Sequence, residues 1–196
     1  MRAVLAQILP ALTGARLVNA ASDAAPLAFD GVSTDSRSVA AGALFVALRG
    51  EVFDAHQFLA QVAEKGVAAV VVEELPEGWT LPALVVPDTL VALGQIANYW
   101  RRQFALPVIA VTGSNGKTTV KEMIASILAA AYGEAGRLAT RGNLNNEIGV
   151  PLTLLRLRDE HQFGVFELGA NHAGEIAYTS GLVRPRAAVI INVGTA

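Results

Sequence analysis

Val108-Ile109-Ala110-Val111-Thr112-Gly113-Ser114-Asn115-Gly116-Lys117-Thr118-Thr119-Val120 is the stretch whose reading decides the fold. An apolar, partly β-branched run enters a short glycine loop, and Lys-Thr-Thr opens a helical stretch directly after it. In that order of strand, tight turn and helix, backbone N–H groups can curl around a phosphate, because glycine puts no Cβ in the way. The positive end of a helix starting near Lys117 points at the same place. Lys117 would bring a mobile charge to the outer phosphates, and Thr118 a hydroxyl to Mg²⁺. The stretch reads as a cradle for a nucleoside triphosphate. One position departs from the general pattern, which has glycine where Val111 stands. The loop is the shorter Gly113-x-x-Gly116-Lys117-Thr118, and its plain alternative is a strand–helix turn with a solvated lysine.

Composition leaves room for that reading. A chain of 196 residues holds one large domain or two small ones. Hydrophobic residues make up 53% and charged residues 16%, which suits a packed core rather than disorder. A net charge of −2 and a pI near 5.9 lack the basic footprint of a nucleic-acid binder, so no nucleic-acid partner is expected. Absence of cysteine removes disulfides and thiolate zinc sites and is compatible with a cytoplasmic location. The apolar start of the chain could pass for a signal peptide, but Gln7 and Pro10 interrupt it. Val4, Leu5, Ile8, Leu9 and Leu12 fit one helical face instead, with Gly14 placed to end the helix. No membrane span is expected, since the apolar run 67–72 stops at Glu73-Glu74, far short of the roughly 18 residues required.

Along the chain, strands are expected at 28–32 and 43–48, separated by the polar turn Ser33-Thr34-Asp35-Ser36-Arg37. A helix at 55–65 would turn Phe58, Leu59 and Val62 inward and end at Gly66. The apolar run 67–72 suits a strand covered on both faces, and 83–86 is a further short strand. This is an α/β unit of about 85 residues, bounded at 1–87. Asp88 can cap a helix through Gln103 that carries Leu90, Leu93, Ile96, Ala97 and Trp100 on one side. After the glycine loop the pattern gives a helix at 117–131, a strand at 137–139 and a helix at 147–157. A strand at 163–168, a helix at 175–183 and a buried-type strand at 187–193 complete it. Alternation of apolar strands with helices argues for a doubly wound, mainly parallel sheet over 88–196.

Three other stretches carry chemistry. Glu167-Leu168-Gly169-Ala170-Asn171-His172-Ala173-Gly174-Glu175 places Glu167 at a strand's carboxyl end, where a carboxylate can hold Mg²⁺ against phosphate oxygens. Glu175 suits the plainer role of starting a helix. His172 could be a base or a metal ligand, with positioning favoured. His56 would cap or orient a loop, and His161 is read as a solvated turn residue. Thr140-Arg141-Gly142-Asn143-Leu144-Asn145-Asn146-Glu147-Ile148-Gly149-Val150-Pro151 offers amides and a guanidinium for phosphate or carboxylate, with Asn145 or Asn146 also able to cap a helix. Ser33 to Arg37, with Arg49-Gly50-Glu51-Val52-Phe53-Asp54-Ala55-His56, could receive a diphosphate or nucleoside, or could be ordinary turns.

Together these residues resemble the Mur ligase family, and within it the branch that adds D-alanyl-D-alanine to a UDP-linked tripeptide. The short Gly113 to Thr119 loop is the family's own phosphate loop, which accounts for Val111. The pairing of Gly142-Asn143-Leu144-Asn145-Asn146 with Glu167-Leu168-Gly169-Ala170-Asn171-His172 resembles that branch, and Val32 to Arg37 resembles the family's UDP-sugar turn. Asp54-Ala55-His56 departs slightly, because glycine is commoner in its middle.

The resemblance implies an ATP- and Mg²⁺-dependent amide ligase of peptidoglycan precursor synthesis, monomeric and cytoplasmic, with UDP-MurNAc-tripeptide and D-Ala-D-Ala as substrates. It implies ATP contacts from Gly113, Ser114, Asn115, Gly116, Lys117, Thr118 and Thr119, metal held by Thr118 and Glu167, and catalytic roles for Lys117, Glu167 and His172. Ser33, Asp35, Ser36 and Arg37 would receive the UDP portion, with Asn143 and Asn146 as further substrate contacts. The rest of the family's central domain and its C-terminal domain, with a carbamylated lysine, would lie beyond Ala196, so the chain alone is expected to be an inactive fragment. The alternatives are a non-catalytic UDP-sugar or nucleotide binding module, and a ligase like folylpolyglutamate synthetase or cyanophycin synthetase.

Overall fold

The computed structural model describes residues 1–20, 27–50 and 52–194, which fall into two compact units, Met1–Tyr99 and Trp100–Ala196. In the first unit the strands are β1 (Arg2–Val4), β2 (Arg16–Val18), β3 (Ala28–Asp30), β4 (Val32–Ser33), β5 (Leu44–Val46), β6 (Ala69–Val72) and β7 (Ala83–Val85). The helices are α1 (Leu5–Ile8), α2 (Leu59–Glu64) and α3 (Thr89–Arg101), which carries the unit boundary in its last turn. A five-stranded sheet runs β2-β7-β6-β5-β4, parallel except for β2 against β7, and β1 pairs separately with β3. All four residues of β6 are fully buried, as an Ala-Val-Val-Val run covered on both faces should be.

The N-terminal helix is much shorter than its periodicity suggests. Residues 2–4 are drawn into an antiparallel ladder with 28–30. Pro10 has no N–H to give an α-turn, so the chain continues past Ile8 as a 3₁₀ turn, Leu9–Ala11. Leu5, Ile8 and Leu12 are still the residues that turn inward. Gly14 does end the segment, at φ +69°. The expected helix over 55–65 is also divided: Asp54 caps a 3₁₀ turn (Ala55–Phe58), and α2 begins only after it, stopping before Gly66 at φ +74°. Asp88 caps α3, its Oδ1 accepting the Val91 N–H at 2.9 Å. Glu51 of the sequence reading lies outside the described residues.

The second unit contains β8 (Val108–Thr112), α4 (Lys117–Tyr132), β9 (Arg137–Ala139), α5 (Gly149–Leu154), β10 (Phe163–Glu167), α6 (Glu175–Val183) and β11 (Ala187–Ile190). The sheet is wholly parallel in the order β11-β8-β10-β9. The chain leaves β8, skips outward to β9, returns to β10 and then crosses to the far side of β8. Strand order therefore reverses beside β8, and a crevice opens at the carboxyl ends of the strands at such a reversal. Val108, Val111, Leu138, Val165, Phe166, Leu154 and Val183 fill the core beneath it, each at most 1% exposed. The last strand differs from expectation. β11 is an edge strand with no element packed over it among the described residues, and Ile190 is 65% exposed rather than buried.

Candidate functional site

β8 delivers the chain into the glycine loop. Gly113 has φ +141° and Gly116 φ +81°, and a Cβ on Gly113 would lie 3.1 Å from backbone atoms of Asn192. Glycine is needed there because two strand ends meet. Gly116 is the N-cap of α4 and provides no side-chain cap. Among the described residues no hydrogen bond takes the N–H groups of Gly116, Lys117 or Thr118, the normal condition of a helix's first turn and the one that suits it to an anion. Lys117 Nζ folds over the loop and donates to Gly113 O at 2.7 Å and Ser114 O at 3.2 Å.

The next strand end braces that loop. Asn192 Oδ1 accepts the Asn115 N–H at 3.0 Å, and its Nδ2 donates to Asn115 O at 3.3 Å. Ser114 N–H goes to Asn192 O, and Ser114 Oγ bonds both the N–H and the carbonyl of Gly194. The N–H groups of Ser114 and Asn115 are thus engaged within the protein. The N–H groups left for a phosphate narrow to the four that follow, Gly116 to Thr119, with Val120 making the first helical bond to Gly116 O.

Glu167 closes the other side. It ends β10 opposite Val111 of β8 and is 3% exposed. Its Oε2 accepts from Thr118 Oγ1 at 2.9 Å, its Oε1 accepts from Asn145 Nδ2 at 2.8 Å, and its N–H donates to Thr140 Oγ1 at 3.0 Å. Thr140 is held in turn by buried Lys121, whose Nζ donates to Thr140 O at 3.0 Å and also pairs with Glu122. A buried carboxylate with a hydroxyl beside it and no ion-pair partner among the described residues is a set of hard oxygen donors. Mg²⁺ fits such a set, since it takes one or two protein carboxylates and completes its shell with water and phosphate.

The asparagine loop contributes differently from expectation. Asn145, rather than Asn143 or Asn146, reaches Glu167, and its carbonyl also accepts the Gly169 N–H at 2.8 Å. Asn146 Oδ1 is used on the start of α5, accepting from Gly149 N–H at 2.9 Å and Ile148 N–H at 3.3 Å. Asn143 is exposed. His172 is 82% exposed and bonded through Nδ1 to Glu175 at 2.8 Å, with no described bond to Glu167 or the glycine loop. The Asn171 N–H and then His172 hold the Glu175 carboxyl below its ordinary range. His161 is tied into its own turn with Arg158. Sequence reading did not single out Asn145 over its neighbours, nor Thr140, Lys121 or Asn192. Lys121 had one available signal, its position one helical turn beyond Lys117.

In the first unit, the turn after β4 is tightly bonded to itself. Asp35 takes the Arg37 guanidinium bidentately, at 2.9 and 3.0 Å, and the Arg37 N–H at 2.9 Å. The Arg37 side chain, then its N–H, hold the Asp35 carboxyl at about 2 against an ordinary 3.8. Lys65 Nζ steadies the turn from below through Ser36 O and Arg37 O. Ser33 Oγ accepts the Asp35 N–H at 3.2 Å. Asp35, Ser36 and Arg37 line one side of a cavity of about 640 Å³, and Phe53 and Phe58, stacked at 5.7 Å, line another. Arg49 binds Asp54, Glu73 and Glu74, so it is committed to structure. His56 accepts the Glu73 N–H on Nε2, which puts its proton on Nδ1, facing Asp54 at 2.6 Å. Of the two expected roles it takes the orienting one, the cap being Asp54.

A small, mainly parallel α/β unit followed by a short glycine-lysine loop with a strand-end glutamate has the layout of a nucleotide-phosphate-binding protein. Residues 28–101 match the description "Mur ligase family, catalytic domain" and residues 111–196 match "Mur ligase middle domain". The chain belongs to the Mur ligase family. Among named relatives, the UDP-N-acetylmuramoyl-tripeptide–D-alanyl-D-alanine ligase of Haemophilus influenzae is 53% identical over 84% of this chain and 36% of its own length. The Escherichia coli ligase of the same name is 48% identical over 92% of this chain and 39% of its own. The crystal structure of MurF from Acinetobacter baumannii superposes on the whole chain with a TM-score of 0.90 at 49% identity, over 42% of that protein. MurF of Thermotoga maritima, solved in complex with ADP, gives 0.76 at 32% identity over 84% of this chain and 38% of that one. The chain thus spans well under half the length of the relatives it matches. Among the described residues no helix is long and apolar enough to cross a membrane.

Proposed function

We propose that this chain supplies the nucleotide-sugar and triphosphate sites of a cytoplasmic, monomeric, ATP-dependent amide ligase that joins D-Ala-D-Ala to UDP-MurNAc-tripeptide. Residues 1–87 would form the UDP-sugar-peptide domain and residues 88–196 the first part of the ATP-binding domain. The observation that carries the reading is the 2.9 Å contact of Thr118 Oγ1 with Glu167 Oε2 at the start of α4. It supports the reading because a hydroxyl and a buried carboxylate side by side are oxygen donors that a phosphate-bound cation accepts.

In the reaction, a carboxylate oxygen of the tripeptide attacks the γ-phosphorus, the bond to ADP breaks, and an acyl phosphate forms. The D-Ala-D-Ala amine then attacks the acyl carbon, loses a proton, and phosphate leaves. Bringing a carboxylate anion to a polyanion is a problem of positioning and charge neutralisation. Lys117 would release its two loop carbonyls and turn to the β- and γ-phosphates, while the free N–H groups of Gly116, Lys117 and Thr118 receive their oxygens. Thr118 and Glu167 would hold Mg²⁺, which lowers the repulsion between the two anions. Asn145 fixes the rotamer of Glu167. Asn143 and His172 stand at loops that would face substrate. Ser33, Asp35, Ser36 and Arg37 would take the UDP portion, the diphosphate competing with Asp35 for Arg37.

A second reading, a nucleotide-sugar binding module without nucleotide triphosphate chemistry, has one observation behind it: Lys117 and two loop N–H groups are satisfied within the protein. Separate titrations with a UDP-sugar and with Mg-ATP divide the two. Binding of both supports the ligase, and UDP-sugar binding alone supports the module.

A further inference from the structure

We propose that the second unit carries an oxyanion-binding pocket of its own, beside β9, formed around Arg141 and Arg156 and separate from the Thr118–Glu167 site. The pocket is a cavity of about 290 Å³, walled by Glu122, Glu134, Arg137, Arg141 and Arg156, with Thr140 among its lining. Its charges do not cancel. Glu122 is taken by the buried Lys121, and Glu134 by Arg137 at 2.7 Å. Arg141 and Arg156 have no carboxylate within ion-pair distance among the described residues.

Arg156 is the telling member. Its Nη1 is buried and has no hydrogen-bond partner. An unmet guanidinium donor is costly in a protein interior, so such groups are nearly always found paired. Burial lowers the Arg156 pKa, and the like charge of Arg141 lowers it further. Two arginines lining one polar cavity, with no carboxylate partner among the described residues, suit a ligand with two or more anionic oxygens, because the planar fork of a guanidinium can bond a carboxylate or phosphate bidentately. A single anion would relieve the repulsion, and a turn of the Arg156 side chain toward it would give the buried Nη1 a partner. It would also order Arg141 and Gly142, the residues through which Thr140 leads into the asparagine loop. This inference does not depend on the ligase reading.

The test follows the side-chain Nε–H signal of Arg156 by NMR as inorganic phosphate, or separately acetate, is added to the whole chain. The Lys117→Ala variant removes the main cation of the glycine loop, so phosphate held there cannot be mistaken for the pocket. Arg141 is exposed, and Arg141→Gln should leave folding intact, which the spectrum itself reports. The proposal expects a saturable shift of the Arg156 signal that survives Lys117→Ala and needs at least about tenfold more anion in Arg141→Gln, the loss of one charge-assisted contact. A shift with both anions identifies a carboxylate-accepting pocket, and a shift with phosphate alone a phosphate pocket. No shift with either anion in Lys117→Ala, or an unchanged titration in Arg141→Gln, overturns the proposal.

Discussion

At Glu167 two neutral donors, Thr118 and Asn145, hold a buried carboxylate that has no ion-pair partner among the described residues. A carboxylate kept this way is expected to gain most from a divalent ion. Glu167→Gln should therefore weaken Mg-ATP binding by about tenfold or more, the scale of a charge-assisted contact, while leaving UDP-sugar binding unchanged; calorimetric titration of each ligand checks it. Asp35 makes a second prediction. Its pKa is depressed, so the Asp35–Arg37 clasp is present above about pH 4 and is lost as pH falls from 3.8 through about 2. NMR titration should place the Asp35 midpoint near 2, and Arg37→Ala should return it towards 3.8. Lys117, Thr118 and Glu167 were readable from sequence because a loop spacing and a strand end fix where they must stand. Asn145 was not. Which of three neighbouring asparagines meets Glu167 depends on the path of the loop over Gly169, and composition does not encode that path.

The loops are set by close backbone approaches, and those are testable at the level of elements. A Cβ on Gly149 would lie 2.4 Å from the Leu144 backbone, which is not free to move aside as a side chain would be. Gly149→Ala should cost about 1–3 kcal/mol, the usual scale of overpacking, and should disturb Asn145 through the shifted loop; urea unfolding measures the first effect. Asp88→Ala should cost about 1 kcal/mol through the lost cap on α3. The central strands and α4 were legible because long apolar periodicity and the glycine loop agree. The edges were less so. Arg16–Val18 is three residues without alternation, and it forms a strand only because β7 offers an antiparallel partner. The N-terminal segment has helical periodicity, yet pairing with β3 and the missing N–H of Pro10 decide its conformation. β11 has a buried strand's composition, yet it lies at a sheet edge.

For the molecule as a whole, UDP-sugar recognition would belong to the first unit and triphosphate recognition to the second. The matched relatives are more than twice as long as this chain. The 196 residues alone are accordingly expected to bind both ligands without releasing ADP in the presence of D-Ala-D-Ala and the UDP-linked tripeptide; a coupled ADP assay on this chain checks that. The central claim is narrower, that the Gly113 to Thr118 loop and Glu167 form one Mg²⁺-dependent triphosphate site. Calorimetric titration of the chain with ATP, with and without Mg²⁺ and in wild type against Lys117→Ala, tests it most directly. Saturable binding that requires Mg²⁺ and is lost or weakened by about tenfold or more in the variant is the expected result. Binding indifferent to both the metal and Lys117, or no ATP binding by a chain that still takes up the UDP-sugar, would contradict it.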